Sequence, residues 1–246
     1  MSIPKIIHYC WFGGGAISPE NRKCMESWKK YCPDYKIIEW NDQNFDISTN
    51  RYAQQAYEAK KYAFVSDYVR LAVLYEYGGI YLDTDVELVR PLDELLELPG
   101  FMGFQTNNEV ATGLGFGARK GNSVVQALLR DYDALDFLKA DGSADLTPCS
   151  ERNTRVLQAL GVRKDGTRQS IAEMEIFPAE YFCPMDFYSR ELRVTPKTYS
   201  IHRYAESWKP KPSAVSRILQ RLLKKHYYTW YCPLRGRIEG RLRKRT

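Results

Sequence analysis

The chain has 246 residues, enough for one large domain, or a domain with an appendage, and for a substantial core. Its 44% hydrophobic and 27% charged residues are ordinary for a soluble globular protein. The net charge of +6 is unevenly placed: from Lys209 onward 12 Lys and Arg face one acid, Glu239, while residues 1–208 hold 24 basic and 29 acidic groups. The basicity belongs to the tail and says little about the body of the protein.

No run of eighteen apolar residues occurs, so no transmembrane helix is expected. The start, "MSIPKIIHYCWFGG", is apolar too briefly for a signal peptide and lacks a small-residue cleavage site. Cys10, Cys24, Cys32, Cys149, Cys183 and Cys232 form no C-x-x-C pair. Their scatter predicts reduced thiols in the cytoplasm, with neither a disulfide framework nor a zinc site. The 18 Tyr and five Trp fit aromatic packing or a site that stacks flat rings and sugars.

In chain order, "PKIIHYCWF" reads as a first strand closed by Gly13-Gly14-Gly15. A helix is predicted over 19–31, with Ser18 as N-cap and Pro19 at its first position. "YKIIEW" is a second strand, and residues 51–77 are helical in two pieces up to the Gly78-Gly79 stop. A third strand follows these glycines, "FMGFQT" is a fourth, and "GLGFGARKG" is a glycine-loosened strand. Residues 122–138 and 151–160 read as helices, and "TYSIHRYAESW" as a last strand with a loop. Strands alternating with helices predict an α/β domain with a mainly parallel sheet over 1–208.

The densest chemical signal is "GGIYLDTDVELVRPL", Gly78 to Leu92. Asp83, Asp85 and Glu87 fall at alternate positions, so a continuous strand would point all three carboxylates to one side. Like charges so close repel, and a buried carboxylate without a partner is costly. The expected partner is a divalent cation, because carboxylate oxygens suit Mg²⁺ or Mn²⁺ and such ions keep positions open for phosphate oxygens. Ligands of open α/β sheets bind beyond the carboxyl ends of the strands, where this pair falls. Taken alone, an acid pair equally describes a solvated strand end. Upstream, Asp67 and Arg70 lie three apart on one helix face among Phe64, Val65, Val69, Leu71 and Leu74. A buried pair needs further hydrogen-bond partners, which a ligand rich in hydroxyls and phosphate oxygens would supply.

Together, "IPKIIHYCWFGG", "SWKKYCPDYKIIEWND" and "YAFVSDYVRLAVLYEYGGIYLDTDVELVRPLDELL" resemble glycosyltransferase family 32, over roughly residues 3–120 with an echo at "IHRYAESW". That family includes capsular polysaccharide sugar transferases and the initiating mannosyltransferases of yeast-type glycans, with a more distant similarity to glucosylating toxin domains. The resemblance implies a GT-A fold, a nucleotide-sugar donor, a divalent metal and retention of anomeric configuration. It implies that Trp11 stacks on the nucleotide base, with Tyr9 also on the donor side. Asp67 and Arg70 would hold the donor's sugar and ribose. Asp85 would ligate the metal, and Asp83 would contact ribose, donor sugar or the metal through water. In "SIHRYAESW", His202 would be a metal ligand, with Ser207 and Trp208 on the diphosphate. Asn107, Asn108 and Glu109 fall where acceptor and reacting sugar are expected. Each has a plainer reading: Trp11 as a core residue, His202 as a structural histidine, Trp208 as an edge seal.

The predicted activity is metal-dependent transfer of a hexose or N-acetylhexosamine, UDP-linked, to a glycan or polyprenyl-linked glycan in surface polysaccharide synthesis. A haloacid-dehalogenase-like phosphatase also uses Asp-x-Asp at a strand end, but on an early strand and with Thr or Val where Glu87 stands here. A non-catalytic glycan-binding peripheral membrane protein is the other alternative. In the tail, 209–246, Val215, Ile218, Leu219, Leu222 and Leu223 form a stripe beside Arg217, Arg221, Lys224 and Lys225, followed by Tyr227, Tyr228, Trp230 and Tyr231. This reads as a basic amphipathic helix on an anionic membrane surface, at the inner face of the cell membrane, with no nucleic-acid-binding module.

Overall fold

A computed structural model of the protein describes residues 2–187 and 189–205. The tail helix expected from the sequence, Ser207 and Trp208 lie outside the described residues. In chain order the elements are β1 (Ile6–Cys10), α1 (Pro19–Tyr31), β2 (Lys36–Trp40), α2 (Arg51–Glu58), α3 (Tyr62–Tyr77) and β3 (Gly79–Tyr81). They continue with β4 (Val86–Leu88), β5 (Gly100–Phe104), β6 (Val110–Ala111), β7 (Phe116–Ala118), α4 (Ser123–Asp133) and α5 (Cys149–Ala159). The last are β8 (Gln169–Ile171), β9 (Met174–Phe177), α6 (Ala179–Phe182) and β10 (Ser200–His202).

The main sheet runs β2-β1-β3-β7-β5-β9-β8, with β6 beside β5. β2, β1, β3, β5 and β9 point one way, while β7, β6 and β8 run against them. The architecture is α/β and its sheet is mixed and mostly parallel, as the alternating elements predict. Both faces are covered. Ile7, Tyr9, Ile80, Leu82 and Phe101 pack with Trp28 of α1, while Tyr81, Met102 and Phe104 pack with α2, α3, α4 and α5 residues on the other side. Neighbouring strand residues therefore serve opposite layers, which is why these strands are apolar throughout.

The Gly78-Gly79 stop is a backbone requirement. Both residues take positive φ (67° and 105°), and a Cβ on Gly79 would lie 2.8 Å from Ile6 O and from His8 Nε2. His8 is fully buried, and burial lowers its pKa to about 4. Its neutral ring accepts from Trp40 Nε1 at 3.0 Å and so donates from Nε2 to Gly78 O at 2.9 Å, which ties β1, β2 and the start of β3 together.

Two sequence expectations are corrected. The helix predicted over 122–138 ends at Asp133, because Gln55 Oε1 accepts the N–H groups of Phe137 (2.7 Å) and Leu138 (3.0 Å) and draws the chain off the helix axis. The single strand through Asp83, Asp85 and Glu87 does not form either. β3 ends at Tyr81, and the chain turns at 83–86, with Val86 N–H donating to Asp83 O at 3.0 Å. β4 leaves the main sheet to pair antiparallel with β10, Val86 opposite His202. Contacts from distant elements set this turn. Asn21 Nδ2 donates to Thr84 Oγ1 (2.9 Å), Trp28 Nε1 to Val86 O (2.7 Å), and Asp83 N–H to Gly113 O (3.0 Å). The three carboxylates thereby meet different partners, Asp83 the Arg70 guanidinium, Asp85 the His202 imidazole and Glu87 the Arg203 guanidinium.

Candidate active site

Asp83 faces the α3 layer. Its Oδ1 accepts from Arg70 Nη2 at 3.1 Å and from the Tyr81 hydroxyl at 3.0 Å. The same Nη2 lies 3.1 Å from Asp67 Oδ1, so one guanidinium bridges the two acids. Arg70 is 4% exposed and sits over the Tyr81 ring at 4.9 Å; its Nε donates to Ser66 O and its Nη1 to Thr112 Oγ1 at 3.4 Å. Every edge of this buried cation is therefore engaged, which is what makes its burial tolerable. Burial raises the pKa of Asp67 to about 6 against the pull of Arg70.

Asp85 faces the β4–β10 ribbon. His202 Nε2 lies 3.2 Å from its Oδ1, and Ala205 N–H donates to its Oδ2 at 2.7 Å. Arg203 N–H donates to its carbonyl at 2.9 Å. Between these two amides Tyr204 takes φ +52°, a left-handed conformation that turns both N–H groups onto Asp85. Burial alone would raise the Asp85 pKa, but His202 and the Ala205 amide hold it down to about 2. Burial likewise opposes charge on His202, yet the Asp85 carboxylate outweighs it and raises the imidazole pKa. The Tyr204 ring stacks at a tilt 4.2 Å from His202, and its hydroxyl lies 2.8 Å from Cys183 Sγ. Glu87, the third acid, pairs with Arg203 on the outside.

Asp83, Asp85 and His202 each offer one ligand atom within 4.8 Å of the others. The 3.2 Å between Asp85 Oδ1 and His202 Nε2 suits neighbouring ligands on an octahedral ion, which with bonds of about 2.1 Å places them about 3 Å apart. Two carboxylates and an imidazole fit a divalent ion such as Mn²⁺ or Mg²⁺. The group fits the residues present.

Other sequence candidates lie at varied distances from this cluster. Trp11 stands just past the carboxyl end of β1, partly buried against the Tyr9 and Trp28 layer, its indole N–H donated to Gly15 O. Tyr9 is 8% exposed within β1, edge-on to Trp28, with its hydroxyl donated to Glu39 at 2.6 Å. Asn107 and Asn108 form the turn after β5. Glu109 accepts from Ser150 (2.9 Å) and Lys164 (3.1 Å), and no described hydrogen bond or ion pair links it to Asp83, Asp85 or His202. Sequence reasoning missed Tyr81, Thr112, Cys149 and Tyr204. Cys149 Sγ lies 3.6 Å from Arg70 Nη1, at the start of α5. Only Tyr81, two residues before Asp83, carried a local signal.

The site thus joins an Asp-x-Asp turn at the edge of an α/β sheet, a buried arginine bridge and the histidine of β10. Residues 18–101 match the family described as "Glycosyltransferase sugar-binding region containing DXD motif", so this stretch of the chain is similar to DXD-containing glycosyltransferases. Inositol phosphoceramide mannosyltransferase 3 of Schizosaccharomyces pombe is 30% identical over 151 residues, covering 55% of this chain and 39% of that one. The chain thus spans about two fifths of the length of this curated relative. "Uncharacterized glycosyltransferase L373" of Acanthamoeba polyphaga mimivirus is 25% identical over 221 residues, 85% of this chain and 84% of the relative. A solved glycosyltransferase involved in glycosylation of the major capsid of PBCV-1 aligns with a TM-score of 0.48 at 12% identity, over 83% of this chain and 95% of that one.

Proposed function

We propose that the protein is a metal-dependent, retaining glycosyltransferase that moves a hexose from a nucleoside diphosphate sugar to a glycan or lipid-linked glycan. The observation that carries this reading is the convergence of Asp83, Asp85 and His202 beside the Arg70 bridge, beyond the carboxyl ends of β1 and β3. Sugar transfer breaks a C–O bond while charge gathers on the departing diphosphate. Asp85 and His202 would hold a divalent ion, which when bound would supply Lewis-acid stabilisation of that charge. Arg70 fixes the Asp83 carboxylate, Tyr81 fixes its rotation, and the Ala205 amide fixes Asp85. These constraints keep the donor's anchoring groups in place before it binds. Trp11, Ser207 and Trp208 complete the donor side in this reading.

The name of the S. pombe relative supports testing mannose beside the UDP-linked hexoses suggested by the capsule-type resemblance. The basic tail would hold the enzyme peripherally on the inner, anionic face of the cell membrane. Among the described residues no helix is long and apolar enough to cross a membrane. Sedimentation with anionic liposomes, with and without residues 209–246, tests that placement.

The test of the reaction is release of nucleoside diphosphate from a panel of nucleotide sugars, with and without Mn²⁺. The wild type hydrolyses one donor in the presence of metal. Asp85→Asn loses about 100-fold or more of that turnover while keeping its fold. Near-normal turnover of this variant refutes the assignment.

A further inference from the structure

A cavity of about 370 Å³, separate from the Asp83, Asp85 and His202 cluster, is walled by Arg90, Arg168 and Lys197 together with Phe177, Tyr181 and Tyr199. Each cation lies over one ring: Arg90 is 4.3 Å from the Tyr199 centroid, Arg168 is 4.8 Å from Phe177, and Lys197 is 6.0 Å from Tyr181. Each is also held by one acid, Arg90 by Glu94 (2.8 Å), Arg168 by Glu175 (3.0 Å) and Lys197 by Glu180 (3.0 Å). The rings and acids together restrict side chains that would otherwise be mobile, so little ordering remains when a ligand arrives.

The hydrogen-bond balance of the wall identifies the ligand chemistry. Of the three acids only Glu94 lines the cavity, and its Oε2 already accepts from both Tyr199 and Arg90. Arg168 donates only Nε to Glu175, which leaves both Nη groups without a partner among the described residues. Lys197 donates one of its three protons to Glu180. The wall is thus rich in charged donors and poor in acceptors. A compact oxyanion satisfies it, and guanidinium groups match phosphate geometry in particular.

The location is equally informative. Arg168 and Phe177 mark the carboxyl end of β9, which points the same way as β1 and β3. Tyr199 precedes His202 by three residues of extended chain, about 10 Å. We propose that this cavity binds a phosphate group carried by the acceptor, anchoring it while its hydroxyl reaches the sugar held at Asp83 and Asp85. The role of the cavity in transfer rests on the glycosyltransferase reading; its affinity for phosphate does not.

The experiment is calorimetric titration of the full chain with inorganic phosphate, in chelator and without donor. Wild type and Asp85→Asn bind alike, and the double variant Arg168→Gln/Lys197→Gln binds about tenfold or more weakly. The double variant keeps metal-dependent donor hydrolysis, which separates a failure here from a failure of the transferase reading. Absence of binding by the wild type, equal binding by the double variant, or loss of binding in Asp85→Asn each overturns the proposal. Phosphatidylcholine vesicles with and without phosphatidylinositol identify the source. If the double variant loses the added vesicle binding, the phosphate belongs to a lipid headgroup. If vesicle binding is unchanged while phosphate binding is lost, it belongs to a soluble phosphorylated glycan.

Discussion

Gly113 lies flat against Asp83. Asp83 N–H donates to the Gly113 carbonyl at 3.0 Å, and a Cβ on Gly113 would overlap Asp83 Oδ2. The glycine is therefore needed for the free carboxylate oxygen and not for backbone freedom, since its φ lies outside the left-handed region. Gly113→Ala is expected to push Asp83 off Arg70, cutting donor hydrolysis about tenfold or more at a stability cost of about 1–3 kcal/mol. Steady-state kinetics beside urea unfolding check both; unchanged kinetics would show that Asp83 has room to spare.

Tyr204 separates backbone from ring. Its left-handed φ costs a non-glycine residue about 1–2 kcal/mol, and a β-branched residue more. Tyr204→Gly keeps the turn that brings Ala205 N–H to Asp85, whereas Tyr204→Val opposes it. The expected result is Mn²⁺ affinity near wild type in the first and about tenfold lower in the second, with fast hydrogen exchange at Ala205 only in the second. Equal loss in both variants would assign the effect to the ring over His202.

The Asp67 carboxyl gives a pH signature. Its pKa in the folded protein is about 6, above the ordinary value of 3.8, so folding disfavours its ionised form. Below about pH 4 it is protonated in both states and has no effect. As pH rises from about 4 to 6 the unfolded chain releases this proton first, and wild-type stability falls by about 2–3 kcal/mol relative to Asp67→Asn, then levels off. Urea unfolding of both proteins across that window measures the difference. A constant gap would mean Asp67 is ionised throughout, held by Arg70.

Arg203 provides the contrast. Its ion pair with Glu87 is more than a third exposed, so Arg203→Ala is expected to cost under about 1 kcal/mol and to leave donor hydrolysis unchanged. A large kinetic loss would place Arg203 in contact with substrate.

Local chemistry was readable wherever it decided the structure locally. α1 begins where Ser18 and Pro19 say it should, with Ser18 Oγ accepting from Asn21 N–H at 3.1 Å. The β8–β9 hairpin was missed because its turn carries Ala172 at φ +43° where glycine or asparagine would give a signal. The Asp83–Val86 turn misled for a different reason. Alternating acids read as one strand, but the partners that bend the chain are Asn21, Trp28 and Gly113, as many as 63 residues away. The Arg70 and Asp83 pairing illustrates the same limit: spacing put Asp67 beside Arg70 on one helix face, while tertiary packing decided that Arg70 also reaches Asp83.

The Asp85 clasp also orders events during synthesis. Ala205 and Asp85 are 120 residues apart, so the contact must wait until Ala205 has left the ribosome. A nascent chain that has passed α3, β3 and the turn after them already owns Asp67, Arg70 and Asp83, yet lacks the imidazole from β10. In this ordering the Asp83, Asp85 and His202 cluster is complete only once β10, the last strand among the described residues, has emerged.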